Sequence, residues 1–105
     1  MADAAARDGD RGFDALVLQP ADDVGVALRD LAAGETVVVR RDGKLERATL
    51  REAIALGHKF SLHAIAAGEV IRKYGERIGT ASADIAPGTH VHVHNLTSAR
   101  ARRAP

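Results

Sequence analysis

The chain has 105 residues, a formal net charge of +1, 46% hydrophobic residues and 28% charged residues. Such a length holds one domain with a single modest core, and so small a charge excludes a global field that recruits nucleic acid or membrane. Aromatics make up 3% of the chain and cysteine is absent, which excludes base-stacking platforms, disulfide frameworks and thiol catalysis.

Residues 1–13 are small and polar, and are expected to form a disordered N-terminal tail. They carry acids early and lack the apolar centre of a signal peptide. No apolar run approaches the roughly 18 residues needed to cross a membrane. A cytoplasmic location follows as the expectation. Residues 97–105, with the run "ARARRAP" over 99–105, read as a basic, flexible C-terminal tail. The folded domain is expected over 14–96.

Within that domain, "DALVLQP" (14–20) is a short apolar strand stopped by Pro20. Asp22 and Asp23 read as a solvated loop before the next strand. In "DVGVALRDL" (23–31), Val24, Val26 and Leu28 share one face at period two. "TVVVRRDGKLERATL" (36–50) is a hairpin about Asp42-Gly43. "LREAIAL" (50–56) predicts one or two helical turns. "HKFSLHAI" (58–65) is a strand with Phe60 and Leu62 inward and His63 turned to solvent. "VIRKYGERIGTA" (70–81) is a second hairpin turning near Gly75.

One phrase recurs. "DLAAGETVVV" (30–39), "AIAAGEVIRK" (64–73) and "DIAPGTHVHV" (84–93) each carry an apolar residue, two small residues, a glycine and then an apolar run. The glycines are Gly34, Gly68 and Gly88, and their unequal spacing argues against a solenoid. The phrase reads as a tight turn feeding a strand, with Pro87-Gly88 suited to the centre of a type II turn. Glu35 and Glu69 each follow the turn glycine, which assigns them to turn chemistry. Short strands punctuated by such turns predict a small all-β fold, barrel-like or clip-like.

Chemistry concentrates in two places. In "THVHVHN" a strand sends His90, His92 and His94 to one side and Val91 and Val93 to the other. With the valines in the core, the imidazoles line the outer face, where neighbours roughly 7 Å apart offer ligands suited to iron, zinc, copper or nickel. The alternative is a plain polar strand face. Asn95 is either a donor beside this face or the end of the strand. The second place is "LGHKF", where Gly57 allows close backbone approach, His58 suits acid, base or ligand duty, and Lys59 offers a point charge for a carboxylate or phosphate. No GxSxG, phosphate-binding glycine loop or dinucleotide fingerprint occurs.

The segments "DDVGVALRDLAAGETV" (22–37) and "GHKFSLHAIAAGEVIRKYGERIGTASADIAPGTHVHVHNL" (57–96) resemble the SAF domain of the altronate and galactarate dehydratases. The most specific parts are "GHK", "IRKYGERIGTA" and "HVHVHN". The resemblance implies a compact β-clip fold. It also implies lyase chemistry on a sugar acid by an enzyme that needs a divalent metal, iron or alternatively manganese. In some members this domain is a separate small subunit, as in two-subunit altronate dehydratases and sulfolactate sulfo-lyases. The chain is thus expected to act with a large dehydratase-like subunit on a small hydroxy acid, without nucleic acid or membrane, and with homo-oligomerisation open. His58, Lys59 and His92 are the candidate catalytic residues. Lys59, His90 and Asn95 are the candidate substrate-binding residues, and His90, His92 and His94 the candidate metal ligands. Where the family has an Arg-Asp pair, this chain has His63 and Ala64, a departure expected to bear on turn capping. The competing function is a non-catalytic SAF module for binding or assembly.

Overall fold

A computed structural model of the chain describes residues 12–98. The N-terminal tail through residue 11 and the basic run at 99–105 lie outside the described residues. The elements are β1 (Ala15–Val17), β2 (Val24–Ala27), β3 (Thr36–Arg41), β4 (Lys44–Thr49), β5 (Lys59–Ser61), β6 (Val70–Lys73), β7 (Glu76–Ala81), β8 (His90–Val91) and β9 (Leu96–Ser98). The fold is all-β, as the sequence predicts. Strand β9 carries regular structure to Ser98, two residues past the boundary expected from composition.

Six strands form one sheet in the order β4-β3-β1-β2-β5-β8, and three form a second in the order β6-β7-β9. All pairings are antiparallel except β1 with β3. Both hairpins close as predicted. Asp42 and Gly43 take φ of 52° and 77°, and Tyr74 and Gly75 take 58° and 77°. Two successive positive φ values are the mark of the type I′ turn, whose twist suits a two-residue hairpin.

The recurring turn occurs four times, not three. Gly34, Gly57, Gly68 and Gly88 have φ of 82°, 83°, 88° and 79°. The extra copy lies in 54–58, overlapping the end of the stretch expected to be helical. No helix occurs among the described residues. The turns work in pairs. Leu31 and Ile54 exchange backbone hydrogen bonds at 2.8 and 2.9 Å, and Ile65 and Ile85 do so at 2.9 and 2.7 Å. All four side chains are buried. The chain therefore contains two similar units in series, each a turn, a hairpin and a second turn paired with the first.

Each unit owns much of one core cluster. Leu31, Val37, Val39, Leu50, Ile54 and Phe60 belong to the first. Ile65, Ile71, Ala81, Ile85 and Val91 belong to the second, with Val24 contributed from β2. Strand β2 is thus covered on both faces: Val24 and Ala27 are buried, whereas Val26 and Leu28 are only half-buried. Val24 and Val26, on one face by the period of two, are thus unequally covered, and Ala27 on the other face is buried in the first cluster.

Acidic side chains fasten the turns. Glu35 accepts from the Ala32 amide at 2.9 Å and Glu69 from the Ala66 amide at 2.7 Å, as their position after the glycine predicts. Asp30 accepts from the Leu56 amide and Asp84 from the Ala67 amide, both at 2.9 Å, so each reaches into the partner turn. Ala64 holds the place in the second unit that Asp30 holds in the first. The amide an aspartate there would cap belongs to Pro87, which has no N–H, so the departure costs no hydrogen bond.

The Asp22-Asp23 loop is not solvated. Asp22 is 2% exposed. Its carboxylate accepts from the amides of Gln19 at 3.1 Å, Tyr74 at 2.6 Å and Gly75 at 2.8 Å, locking the tip of the β6–β7 hairpin against the start of β2. Asp23 accepts from the Arg72 amide at 2.8 Å and bonds His63 Nε2 at 2.9 Å. His63 is exposed, as expected, but tethered.

Candidate functional site

The functional side chains meet at the edge of the six-stranded sheet. Strand β5 pairs with β8 in the register Lys59↔Val91 and Phe60↔His90. That antiparallel register carries His58, just before β5, opposite His92, just after β8. The two clusters that are separate in the sequence therefore form one site. The ring centroids of His58 and His90 lie 5.1 Å apart, His58 and His92 5.9 Å, His90 and His92 5.4 Å, and His90 and His94 5.6 Å. Gly57, His58, Lys59, Val91 and His92 line a cavity of about 200 Å³ between them.

Val93 departs from the expectation. It is 77% exposed, whereas Val91 is fully buried. Strand β8 ends at Val91, and the chain turns through 92–95, with the Asn95 amide donating to the His92 carbonyl at 3.0 Å. The Asn95 side chain makes this turn. Its Oδ1 accepts from the His92 amide at 3.0 Å and its Nδ2 donates to the His90 carbonyl at 2.9 Å. Both polar atoms of Asn95 are thus engaged with backbone, and the residue is buried, so its role here is to aim His92 and His94.

Two features went unnoticed in the sequence. Glu52 accepts from the His90 amide at 2.9 Å, occupying an N–H that edge strand β8 would otherwise leave open. Ser61, fully buried, accepts from the Thr89 amide at 3.0 Å and donates to the Ala86 carbonyl at 2.7 Å, anchoring the fourth turn. Neither position carries a local signal, because each bond joins residues more than 20 apart in the chain.

His58 Nδ1 and His90 Nε2 are 3.0 Å apart. One ring nitrogen must donate and the other accept, so at least one of the two rings is neutral. His90 is the better candidate for the neutral ring. Burial lowers its pKa below the usual 6.5, and the charges of His58, His92 and His94 lower it further, against a smaller upward pull from Glu52. A histidine with a lowered folded pKa contributes stability above about 6.5 that is lost as pH falls through the folded value. In an NMR titration His90 is expected to protonate below 6.5. His58→Ala is expected to move that midpoint only part of the way up, because burial is the larger cause. A His90 midpoint at or above 6.5 in the native chain would contradict this account.

The rings do not converge as metal ligands. The interplanar angles between neighbours run from 15° to 37°, with two pairs stacked and two tilted. Among the described residues no group of three or more His, Asp or Glu side chains is placed to hold one ion. The residues present do not fit a metal centre contained in this chain. They do fit proton transfer and anion binding. Lys59 is half-buried, and burial lowers its pKa from the ordinary lysine value, with Lys73 adding to the effect.

No helix of the described residues is long and apolar enough to cross a membrane.

The profile of the altronate/galactarate dehydratase SAF domain matches residues 13–99. The altronate dehydratase of Escherichia coli (strain K12) is 53% identical over 74 residues, which are 70% of this chain and 14% of that enzyme. The (2R)-sulfolactate sulfo-lyase subunit alpha of Paracoccus pantotrophus is 41% identical over 63 residues, 60% of this chain and 94% of that subunit. Its counterpart from Chromohalobacter salexigens is 36% identical over 89 residues, 80% of this chain and 94% of the subunit. The chain therefore spans a small fraction of the dehydratases and nearly the whole of the sulfo-lyase alpha subunits. With its all-β fold and a profile match across almost every described residue, the chain belongs to the altronate/galactarate dehydratase SAF domain family.

Proposed function

We propose that this chain is the small subunit of a cytoplasmic sugar-acid hydro-lyase, altronate dehydratase-like, which binds and dehydrates a hydroxy acid together with a larger catalytic subunit. The observation that carries the reading is the meeting of His58, Lys59 and His92 in one small open cavity at a sheet edge, with His90 bonded to His58. Loss of water from a hydroxy acid needs a base for the proton alpha to the carboxylate, an acid for the departing hydroxide and a cation for the carboxylate. Lys59 serves as the cation. The His58–His90 pair holds a proton between its two ring nitrogens and can pass one on, and exposed His92 faces the same cavity as His58. In this reading the divalent metal, iron or manganese, is held by the larger subunit, and no step on this chain runs through it.

A sulfo-lyase reading is the second, favoured by the 94% coverage of the sulfo-lyase alpha subunits. The same base and cation serve it, and the leaving group becomes sulfite instead of hydroxide. Product analysis separates the two.

The test is turnover in the reconstituted two-subunit enzyme. His58→Ala and His92→Ala are each expected to lower kcat by about a hundredfold, the lower range for a lost acid or base. Unchanged kcat/KM in both would instead support a binding or assembly module.

A further inference from the structure

Lys59 and Lys73 are both half-buried, and among the described residues neither ammonium has an ion-pair or hydrogen-bond partner. They belong to different sheets, β5 and β6, yet are brought close by one device. Lys59 stands opposite Val26 in β2. Lys73 lies between Arg72 and Tyr74, whose amides donate to Asp23 and Asp22 just ahead of β2. Asp23 and Val26 are three residues apart, roughly 10 Å along a strand, a distance within the combined reach of two lysine side chains. The charge of Lys73 is felt at Lys59, where it adds to the effect of burial.

Two partly desolvated like charges within electrostatic reach of each other are unfavourable. An anion seated between them relieves both costs at once. Gly57, which lines the same cavity as Lys59, leaves open space where a side chain would stand, with nothing within 4 Å of a built Cβ.

We infer that Lys59 and Lys73 form a two-armed clamp that holds one anionic group, carboxylate or sulfonate, of a hydroxy-acid ligand at the mouth of the histidine cavity. The clamp bridges the two sheets and is a property of this chain alone. Its ligand class rests on the proposed function, whereas its geometry does not.

The ¹⁵N-labelled chain, without a partner, is titrated at constant ionic strength with galactarate and, separately, with sulfolactate. Both acids present the same anionic chemistry, and their relative affinities tell which ligand the clamp prefers. Amide shifts are expected at Gly57–Lys59 and again at Lys73–Gly75. Lys73→Met, which keeps the aliphatic stem and removes the charge, is expected to weaken binding about tenfold while leaving the ligand-free chain at least as stable. Lys73→Arg is expected to retain affinity. No binding of either acid, shifts confined to the histidines, or wild-type affinity in Lys73→Met would each overturn the clamp. If the clamp fails while the His58 and His92 variants still lose turnover, the lyase reading stands without it. If binding holds but turnover is unchanged in those variants, the lyase reading falls and the clamp remains.

Discussion

Gly88→Ala is expected to cost about 4 kcal/mol of folding stability, measured by urea unfolding. Two effects add. The φ of 79° at Gly88 is left-handed, which costs a residue with a Cβ roughly 1–2 kcal/mol. The new methyl would also overlap the Thr49 carbonyl and stand 3.2 Å from the Leu50 Cα, both backbone atoms that cannot step aside. Gly68→Ala is the control. Its φ is 88° and a Cβ there meets nothing within 4 Å, so only the roughly 1–2 kcal/mol of backbone strain applies. Equal losses in the two variants would show that the packing of the fourth turn against Leu50 is not what Gly88 serves. The fourth turn launches His90, so a chain that survives Gly88→Ala is also expected to lose the His58–His90 contact.

Asp22→Ala is expected to cost about 3 kcal/mol and to lower Tm by roughly 15 °C for a domain of this size. The carboxylate is buried and satisfies the amides of Gln19, Tyr74 and Gly75. Alanine leaves those partly buried donors without their acceptor, and unmade hydrogen bonds cost more than made ones contribute. Asp22→Asn keeps the Oδ2-side acceptor but points an amide toward the Gly75 N–H, so an intermediate loss is expected. Tyr74 holds its left-handed φ through the same contact. A loss below about 1 kcal/mol for Asp22→Ala would mean that the loop relaxes to let water reach those amides.

The turns and hairpins were legible because their chemistry is local. Asp42-Gly43 and the glycines at 34, 68 and 88 need positive φ whatever surrounds them, and Glu35 and Glu69 cap amides three residues away. The turn at Gly57 was hidden by its own composition. Leu, Arg, Glu and Ala in "LREAIAL" are good helix formers, and only the bridge from Ile54 to Leu31, from a distant part of the chain, overrides that preference. The burial of Asp22 was hidden for the same reason, since two of its donors lie 52 and 53 residues away. In the site, the histidine alternation was legible as far as Val91. Beyond that point β5 ends, no strand remains to hold Val93 inward, and Asn95 bends the chain. The merging of "GHK" with "HVHVHN" depends on the β5–β8 register, which nothing in either segment encodes by itself.

The four turns share a backbone but differ at the residue after the glycine. In two of them that residue is a glutamate that fastens its own turn. In the other two it is His58 or Thr89, and no such self-fastening exists. Those two turns lead directly into His58 and His90. A duplicated scaffold thus divides its labour. One member of each turn pair carries the self-fastening glutamate, and its partner opens onto the histidine face.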